Sequence, residues 1–91
     1  MKTDERSVEA IEHVISAEIR NLALMGEDDP PISPDEDFLV NGLIDSFAFI
    51  SFLKFVEERY GMIIEEEEQF DDRLRSIKGM TSFISEKLNG A

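Results

Sequence analysis

The sequence predicts an all-α fold, an irregular four-helix bundle with three longer helices, one short helix and a long loop between the first two. Apolar residues recur at helical spacing in three separate segments. The segment between the first two contains three prolines and no sustained period, which is typical of a connection. With 91 residues, 42% of them hydrophobic, the chain has enough apolar side chains for one small core. We therefore expect a single domain over residues 1–91, with frayed ends at 1–4 and 89–91.

The first long helix is predicted within residues 5–25. Its apolar face is formed by side chains at steps of three and four: Val8, Ile11, Ile15, Ile19 and Leu22. Gly26 is expected to stop this helix. Residues 26–45 then form the long connection, in which Ser33 is expected to cap one turn. A connection of this length in so small a domain usually has a function.

The second long helix is predicted from about Ser46 to Tyr60. Asp45 precedes it as the expected cap, because an Asp side chain in that place accepts hydrogen bonds from the free amides of a starting helix. Gly61 is the expected stop. At about 100° per residue, one face of this helix carries the side chains expected in the core. They are Phe49, Phe52, Leu53, Val56 and Tyr60.

Two further helical segments are predicted after a short extended link at residues 62–64. Residues 65–70 predict a short acidic helix, and Ser76 is the expected cap of the last helix. The apolar face of that last helix is formed by Ile77, Met80, Ile84 and Leu88. Gly79 is expected to weaken it by about 1 kcal/mol relative to alanine.

The charge balance restricts the kinds of partner. The chain has 21 acidic and nine basic residues and a net charge of -12. Contacts to phosphate need clustered Lys and Arg, so this composition argues against nucleic acid and against an anionic membrane as partner. Seven of the acids lie within residues 27–45 and eight within residues 57–72. A basic protein is therefore the expected partner.

The residues that are absent restrict the function further. The chain has no cysteine, which excludes disulfides, thiolate metal sites and a cysteine nucleophile. Residues 1–6 are charged rather than apolar, and no run approaches the roughly 18 apolar residues that span a bilayer. We expect a soluble, cytoplasmic and monomeric protein.

The most informative segment is Gly-Leu-Ile-Asp-Ser-Phe at residues 42–47. It places the hydroxyl of Ser46 at a helix start, directly after the long loop. The free amides of a first turn and the positive end of the helix dipole stabilise an anion there by about 0.3 to 1 kcal/mol. An Asp-Ser pair by itself is most often an ordinary helix cap. The motif alone therefore fits both a cap and a phosphate attachment site.

This motif resembles that of the acyl carrier protein family. The resemblance extends over residues 33–88, through the apolar helix, the Glu-Glu-Arg-Tyr-Gly at 57–61, the apolar link and the glutamate run. In that family a separate transferase moves phosphopantetheine from coenzyme A to the serine of an Asp-Ser-Leu type motif. The resemblance implies a covalent 4′-phosphopantetheine on Ser46, with Asp45 as part of the motif.

The resemblance also implies how such a protein works. The thiol of the arm would hold an acyl or aminoacyl group as a thioester, and the protein would shuttle that group between enzymes without being an enzyme itself. The implied partners are a phosphopantetheinyl transferase, an enzyme that loads the acyl or aminoacyl group, and downstream enzymes that use it.

The chain departs from the family pattern after the serine. Phe47 stands where leucine is commoner, a substitution that free-standing and aminoacyl-type carriers also show. Carriers of fatty acid synthesis have acids soon after the motif, whereas this chain has Ala48, Ser51 and Lys54. These departures argue against a standard fatty-acid role and leave the carrier chemistry unaffected, because that chemistry depends on the presentation of the serine.

The helix after the motif also predicts a docking surface. Helical geometry places five side chains away from the core face, in a weakly charged strip that runs from the serine. They are Phe47, Ala48, Ser51, Lys54 and Phe55. We expect partners to bind this strip through apolar contacts, with the acidic flanks steering their approach. Burial under the long loop or the short acidic helix is an equal alternative for Phe55.

Other functions fit the sequence less well. His13 lies off the apolar face of the first helix and has no partners for a catalytic triad. Leu39 stands at a ligand position of the calcium loop that Asp35 and Asp37 would begin, which excludes an EF-hand. Paired carboxylates lie on polar runs, where raised pKa values are not expected. From a different class, the alternative is a small acidic interaction protein with a degenerate carrier fold, unmodified at Ser46.

Overall fold

The computed structural model describes residues 6–90, in which all regular secondary structure is helical. Three α-helices span Val8–Leu22 (α1), Ser46–Tyr60 (α2) and Ile77–Leu88 (α3). Two short 3₁₀ turns, Glu67–Phe70 and Asp72–Arg75, lie between α2 and α3. Of the ends expected to fray, residues 1–4 and 91 lie outside the described residues, whereas Asn89 and Gly90 form a hydrogen-bonded turn after α3.

Helix α1 begins at a cap that the sequence analysis did not identify and ends before the predicted stop. The Ser7 hydroxyl accepts a hydrogen bond from the amide of Ala10 at 3.2 Å. At the other end, Leu24 adopts a left-handed conformation with φ of 58°. The amide of Met25 then donates to the carbonyl of Arg20, and the amide of Leu24 to that of Asn21. This pair of bonds closes the helix at Leu22, four residues before Gly26.

Hydrogen bonds fix the first half of the long connection. The guanidinium of Arg20 donates hydrogen bonds to three loop carbonyls, those of Gly26, Asp29 and Pro30, at 2.7 to 3.2 Å. The turn expected at Ser33 is present as a backbone hydrogen bond from the amide of Glu36 to the carbonyl of Ser33.

The connection also contributes to the core. Three of its side chains are buried with those of the helices: Ile32, Phe38 and Ile44. The ring of Phe38 packs edge-on against Phe52 of α2, with 5.8 Å between ring centroids. The loop that leads to Ser46 is therefore held in place by its own buried residues rather than left free.

The core face predicted for α2 is the face that is buried. Phe49, Phe52, Leu53 and Val56 are at most 6% exposed, and Tyr60 is half-buried against the same cluster. Gly61 ends the helix with φ of 61°, in the left-handed region that favours glycine. Buried residues of α1 and α3 also belong to the core, with Ile64 and Leu74 from the segment between α2 and α3: Ile11, Ile15, Ile19, Ile77, Met80, Phe83 and Ile84.

The short acidic helix expected at residues 65–70 is a 3₁₀ turn, Glu67–Phe70. Four consecutive glutamates at 65–68 repel one another in this segment, which disfavours a longer helix. Asp71 then adopts an extended conformation and caps the second 3₁₀ turn by accepting from the amide of Arg73. No helix within residues 6–90 is long and apolar enough to cross a membrane.

Candidate functional site around Ser46

Ser46 is the first residue of α2, and its side chain is exposed. Asp45 before it adopts an extended conformation, and its Oδ1 accepts a hydrogen bond from the amide of Ala48 at 2.8 Å. Ile44 is buried, and its amide donates to the carbonyl of Phe38 at 3.3 Å. One buried side chain and one helix cap thus fix the backbone on the N-terminal side of the serine, while the hydroxyl remains accessible.

An open apolar cleft of about 270 Å³ lies beside this serine, between α2 and the 3₁₀ turns. The walls are formed by Leu39, Ser46, Phe49, Ile50, Leu53, Gln69, Phe70, Asp71 and Arg75. Phe70 is 85% exposed and Ile50 is 48% exposed, so both offer apolar surface to whatever enters the cleft. This cleft could not be predicted from the sequence, because it is formed by segments that lie far apart in the chain. The only signal in the sequence was an apolar residue, Phe70, next to a run of acids.

Asp71 in the cleft wall is engaged by its neighbour Arg73. Oδ1 of Asp71 accepts from the backbone amide of Arg73 at 2.9 Å, and Oδ2 accepts from its Nε and Nη2, each at 3.1 Å. These hydrogen bonds lower the pKa of the Asp71 carboxyl and raise the pKa of the Arg73 guanidinium. The negative charge of the Asp71 carboxylate is therefore balanced by the Arg73 guanidinium of the second 3₁₀ turn.

Arg75 in the same wall is held differently. Its Nε lies 3.0 Å from Oδ2 of Asp37, and its Nη2 lies 3.1 Å from Oδ1 of Asp72. Arg75 is therefore ion-paired with both carboxylates, and its buried Nε faces Asp37 without a well-aligned hydrogen bond. Asp37 is itself oriented by the loop, since its Oδ1 accepts from the amides of Leu39 and Val40.

The five residues of the expected docking strip divide into two groups. Phe47 is 74% exposed, and Ser51 and Lys54 are also exposed. Ala48 and Phe55 are half-buried and pack against the core. Phe55 is therefore only partly exposed, and of the two alternatives that the sequence left open for it the structure is closer to burial, because the ring packs against the core cluster. A shallow groove lined by Leu22, Asp45, Phe47, Ala48 and Ser51 runs along the first turns of α2.

The remaining candidate residues lie apart from this cleft. His13 is exposed on α1. Within residues 6–90, no group of three or more His, Cys, Asp or Glu side chains could hold a metal ion. Partial burial raises the pKa of Glu18, but this residue lies on α1 and does not line the cleft.

Comparison of the chain with protein-family models, with curated proteins and with solved structures gives no match.

Proposed function

We propose that the protein is a carrier whose Ser46 bears a 4′-phosphopantetheine arm, and that the arm holds an acyl or aminoacyl group as a thioester. The observation that supports this most directly is the placement of Ser46. Its hydroxyl is exposed at a capped helix start and borders an open apolar cleft. An exposed hydroxyl can take a bulky group, and the free amides and dipole of the helix start favour the phosphate of that group.

The residues around Ser46 fit such an arm. The arm supplies a thiol that forms and exchanges thioesters. On attachment, Oγ of Ser46 bonds to the phosphorus that bears the pantetheine in coenzyme A, the bond from that phosphorus to the nucleotide breaks, and the hydroxyl proton passes to a base of the transferase. The 3′,5′-bisphosphorylated adenosine leaves. The apolar side chains of the cleft offer a surface that shields an acyl chain from water.

The proposed partners follow from the same function. A phosphopantetheinyl transferase installs the arm, a loading enzyme charges it, and downstream enzymes in the cytoplasm use the acyl or aminoacyl group. The catalytic residues belong to those enzymes. Phe47, Ser51 and Lys54 form the exposed part of the docking strip, beside the groove along the first turns of α2. In this proposal the two 3₁₀ turns occupy the place of the short helix in an irregular four-helix bundle.

A small acidic interaction protein without the arm is the second candidate. The exposed apolar side chains of Leu24, Val40 and Phe47 favour it, since surfaces of this kind bind partners without any cofactor. Both candidates use the surface around α2, and they differ in whether Ser46 is modified.

Intact mass after incubation with coenzyme A and a broad-specificity transferase separates the two candidates. The carrier gains the mass of one phosphopantetheine group, and Ser46→Ala does not. Ser82→Ala is the matched control, because Ser82 is an exposed serine outside the docking strip and its loss should leave the gain intact. No mass gain in the natural sequence, or an equal gain in Ser46→Ala, would rule out the proposed attachment site.

A further inference from the structure

Leu24, just after the end of α1, carries an apolar side chain that the fold does not use. Its neighbours Ala23 and Met25 pack against the core, whereas the side chain of Leu24 is 91% exposed. A side chain that stays in water adds nothing to the hydrophobic stabilisation of the core. Single exposed leucines are common on protein surfaces, so the exposure alone decides nothing.

The backbone of Leu24 provides a second, independent observation. Its φ of 58° lies in the left-handed region, at the position after a helix where glycine is the usual residue. Asn is tolerated there, whereas the Cβ of a leucine is disfavoured. Strain of this kind is concentrated where proteins bind their ligands and partners. Leu24 therefore combines a strained backbone with an unused apolar side chain.

A shallow groove places the end of α1 beside the first turns of α2. Leu22 of α1 lines this groove together with Phe47 and Ala48 of α2. Leu24 follows Leu22 by two residues, so their Cα atoms are at most about 7.6 Å apart. The side chain of Phe47 is 74% exposed. Two exposed apolar side chains, one from each helix, therefore lie at the same groove.

The charge around this groove indicates the chemistry of the partner that covers it. Residues 18–30 and 45–53 contain five acids and one base, Arg20. The guanidinium of Arg20 is directed at loop carbonyls by its three hydrogen bonds. A second copy of the chain would bring two such acidic regions together, which like-charge repulsion opposes. A basic protein has the complementary charge.

We propose that Leu24 and Phe47 form a two-point apolar docking surface for a basic partner, the phosphopantetheinyl transferase. This inference rests on the proposed function, because that function supplies the partner. Ser46 directly precedes Phe47, so an enzyme bound at this groove lies next to the hydroxyl that it modifies. Leu24 adds a contact from α1 that the docking strip on α2 does not contain. The two apolar side chains bind the partner, and the acids steer its approach.

Two substitutions remove the leucine side chain and keep the helix end intact. Leu24→Gly relieves the left-handed backbone, and Leu24→Asn introduces a residue that tolerates it. Both variants should melt no lower than the natural sequence, because the leucine side chain is almost fully exposed. In transferase assays with coenzyme A, the KM for the protein substrate should rise about tenfold at unchanged kcat, as expected for the loss of a contact that acts equally on ground and transition states.

Ile63→Ser is the matched control for the loss of an exposed apolar side chain. Ile63 is 69% exposed, but it follows the far end of α2, which is about 20 Å from Phe47 along the helix. This variant should leave KM unchanged. A KM that is unchanged in both Leu24 variants, or raised equally in Ile63→Ser, would overturn the proposal. A clear fall in melting temperature in both Leu24 variants would also overturn it, because the leucine would then have a structural role.

Methyl NMR gives a readout that does not need the modification reaction. The methyl resonances of Leu24 should shift or broaden when the transferase is added without coenzyme A, and those of Ile63 should not. Leu24 resonances that instead change with the concentration of the protein alone would identify a second copy as the occupant and refute the basic partner.

Failure of the inference and failure of the proposed function give different results. Normal modification of Ser46 with unchanged Leu24 resonances overturns the role of Leu24 and leaves the proposed function standing. Failure of the transferase to modify Ser46 in the natural sequence refutes the proposed function, and the inference falls with it.

Discussion

Gly79 has a structural role that its low helix propensity does not indicate. Propensity alone makes glycine a defect within α3. In the structure, a Cβ added to Gly79 would overlap the carbonyl oxygen of Arg73 and lie 2.7 Å from its Cα. The absent side chain thus lets α3 approach the backbone of the second 3₁₀ turn, which carries one wall of the Ser46 cleft.

We predict that Gly79→Ala destabilises the protein by about 1 to 3 kcal/mol, because backbone atoms must move to make room and this exceeds the gain of about 1 kcal/mol in helix propensity. Urea unfolding measures the effect. Ser82→Ala, at an exposed position of the same helix, serves as control and should change stability by less than about 0.5 kcal/mol. A stabilised Gly79→Ala protein would show that α3 does not approach the turn so closely.

Asp45 has a capping role and a motif role, and two substitutions separate them. Asp45→Ala removes the acceptor for the amide of Ala48, so we predict a loss of about 0.5 to 2 kcal/mol together with slower modification of Ser46. Asp45→Asn keeps an acceptor and should restore most of the stability. Thermal melting and the rate of mass gain with a transferase are the two measurements. Unchanged melting and unchanged modification in Asp45→Ala would contradict both roles.

At the scale of elements, ion pairs attach the two 3₁₀ turns to α3. Oε1 of Glu68 lies 2.9 Å from Nζ of Lys87, and Oε2 of Glu86 lies 2.7 Å from Nη1 of Arg73. Oε1 of Glu68 also accepts from the amide of Glu65. The backbone hydrogen bond and then Lys87 lower the pKa of the Glu68 carboxyl below its ordinary value of 4.5.

The lowered pKa of Glu68 predicts in which direction the stability of the protein changes with pH. A carboxyl whose pKa is lower in the folded state stabilises the protein above its unfolded pKa, and the contribution is lost as the pH falls through the folded pKa. Glu68→Gln, which resembles the protonated side chain, should therefore be less stable than the natural sequence above about pH 4.5, and the difference should shrink below that pH and vanish only below the lowered folded pKa.

Urea unfolding of both proteins across this pH range tests the prediction. Glu67→Gln is the control for the relief of acidic repulsion, since it removes the same charge from an exposed neighbour. If Glu68→Gln and Glu67→Gln change stability equally at every pH, the attachment of the turn through Glu68 is wrong.

Phe47 and Phe55 of the expected docking strip on α2 should respond differently to substitution. Phe47 is 74% exposed, so Phe47→Ser should lower the rate of acyl transfer to a partner with little change in melting temperature. Phe55 packs against the core, so Phe55→Ser should cost about 2 kcal/mol of stability. Transfer assays and thermal melting of both variants provide the comparison. Normal transfer by Phe47→Ser would remove this residue from the docking surface.

At the scale of the whole molecule, the acidic charge should govern the approach of partners. Exposed charges are screened over about 10 Å at 0.1 M salt, so we predict that association with a basic transferase slows as salt is added. The dissociation rate should change less if, as proposed, apolar contacts at Phe47 hold the complex. Stopped-flow association at several salt concentrations measures this, and an association rate indifferent to salt would contradict it.

Features set by neighbouring residues could be predicted from the sequence, and features set by distant ones could not. The caps at Asp45 and Ser76 and the buried face of α2 follow from local patterns and agree with the structure. The close approach of α3 at Gly79, the burial of Phe38 and the cleft with Arg75 depend on segments that meet only after folding. The early end of α1 depends on Leu24, a residue type that rarely adopts a left-handed conformation.

The most direct test of the carrier function is mass spectrometry of the protein purified from the cells that make it. Peptide fragmentation should place a phosphopantetheine group on Ser46 and on no other serine, and the residual mass on its thiol should identify the acyl or aminoacyl group. We predict a modified Ser46 in a substantial fraction of the molecules. Protein that is entirely unmodified at Ser46 in cells with an active transferase would contradict the carrier function and favour the interaction protein.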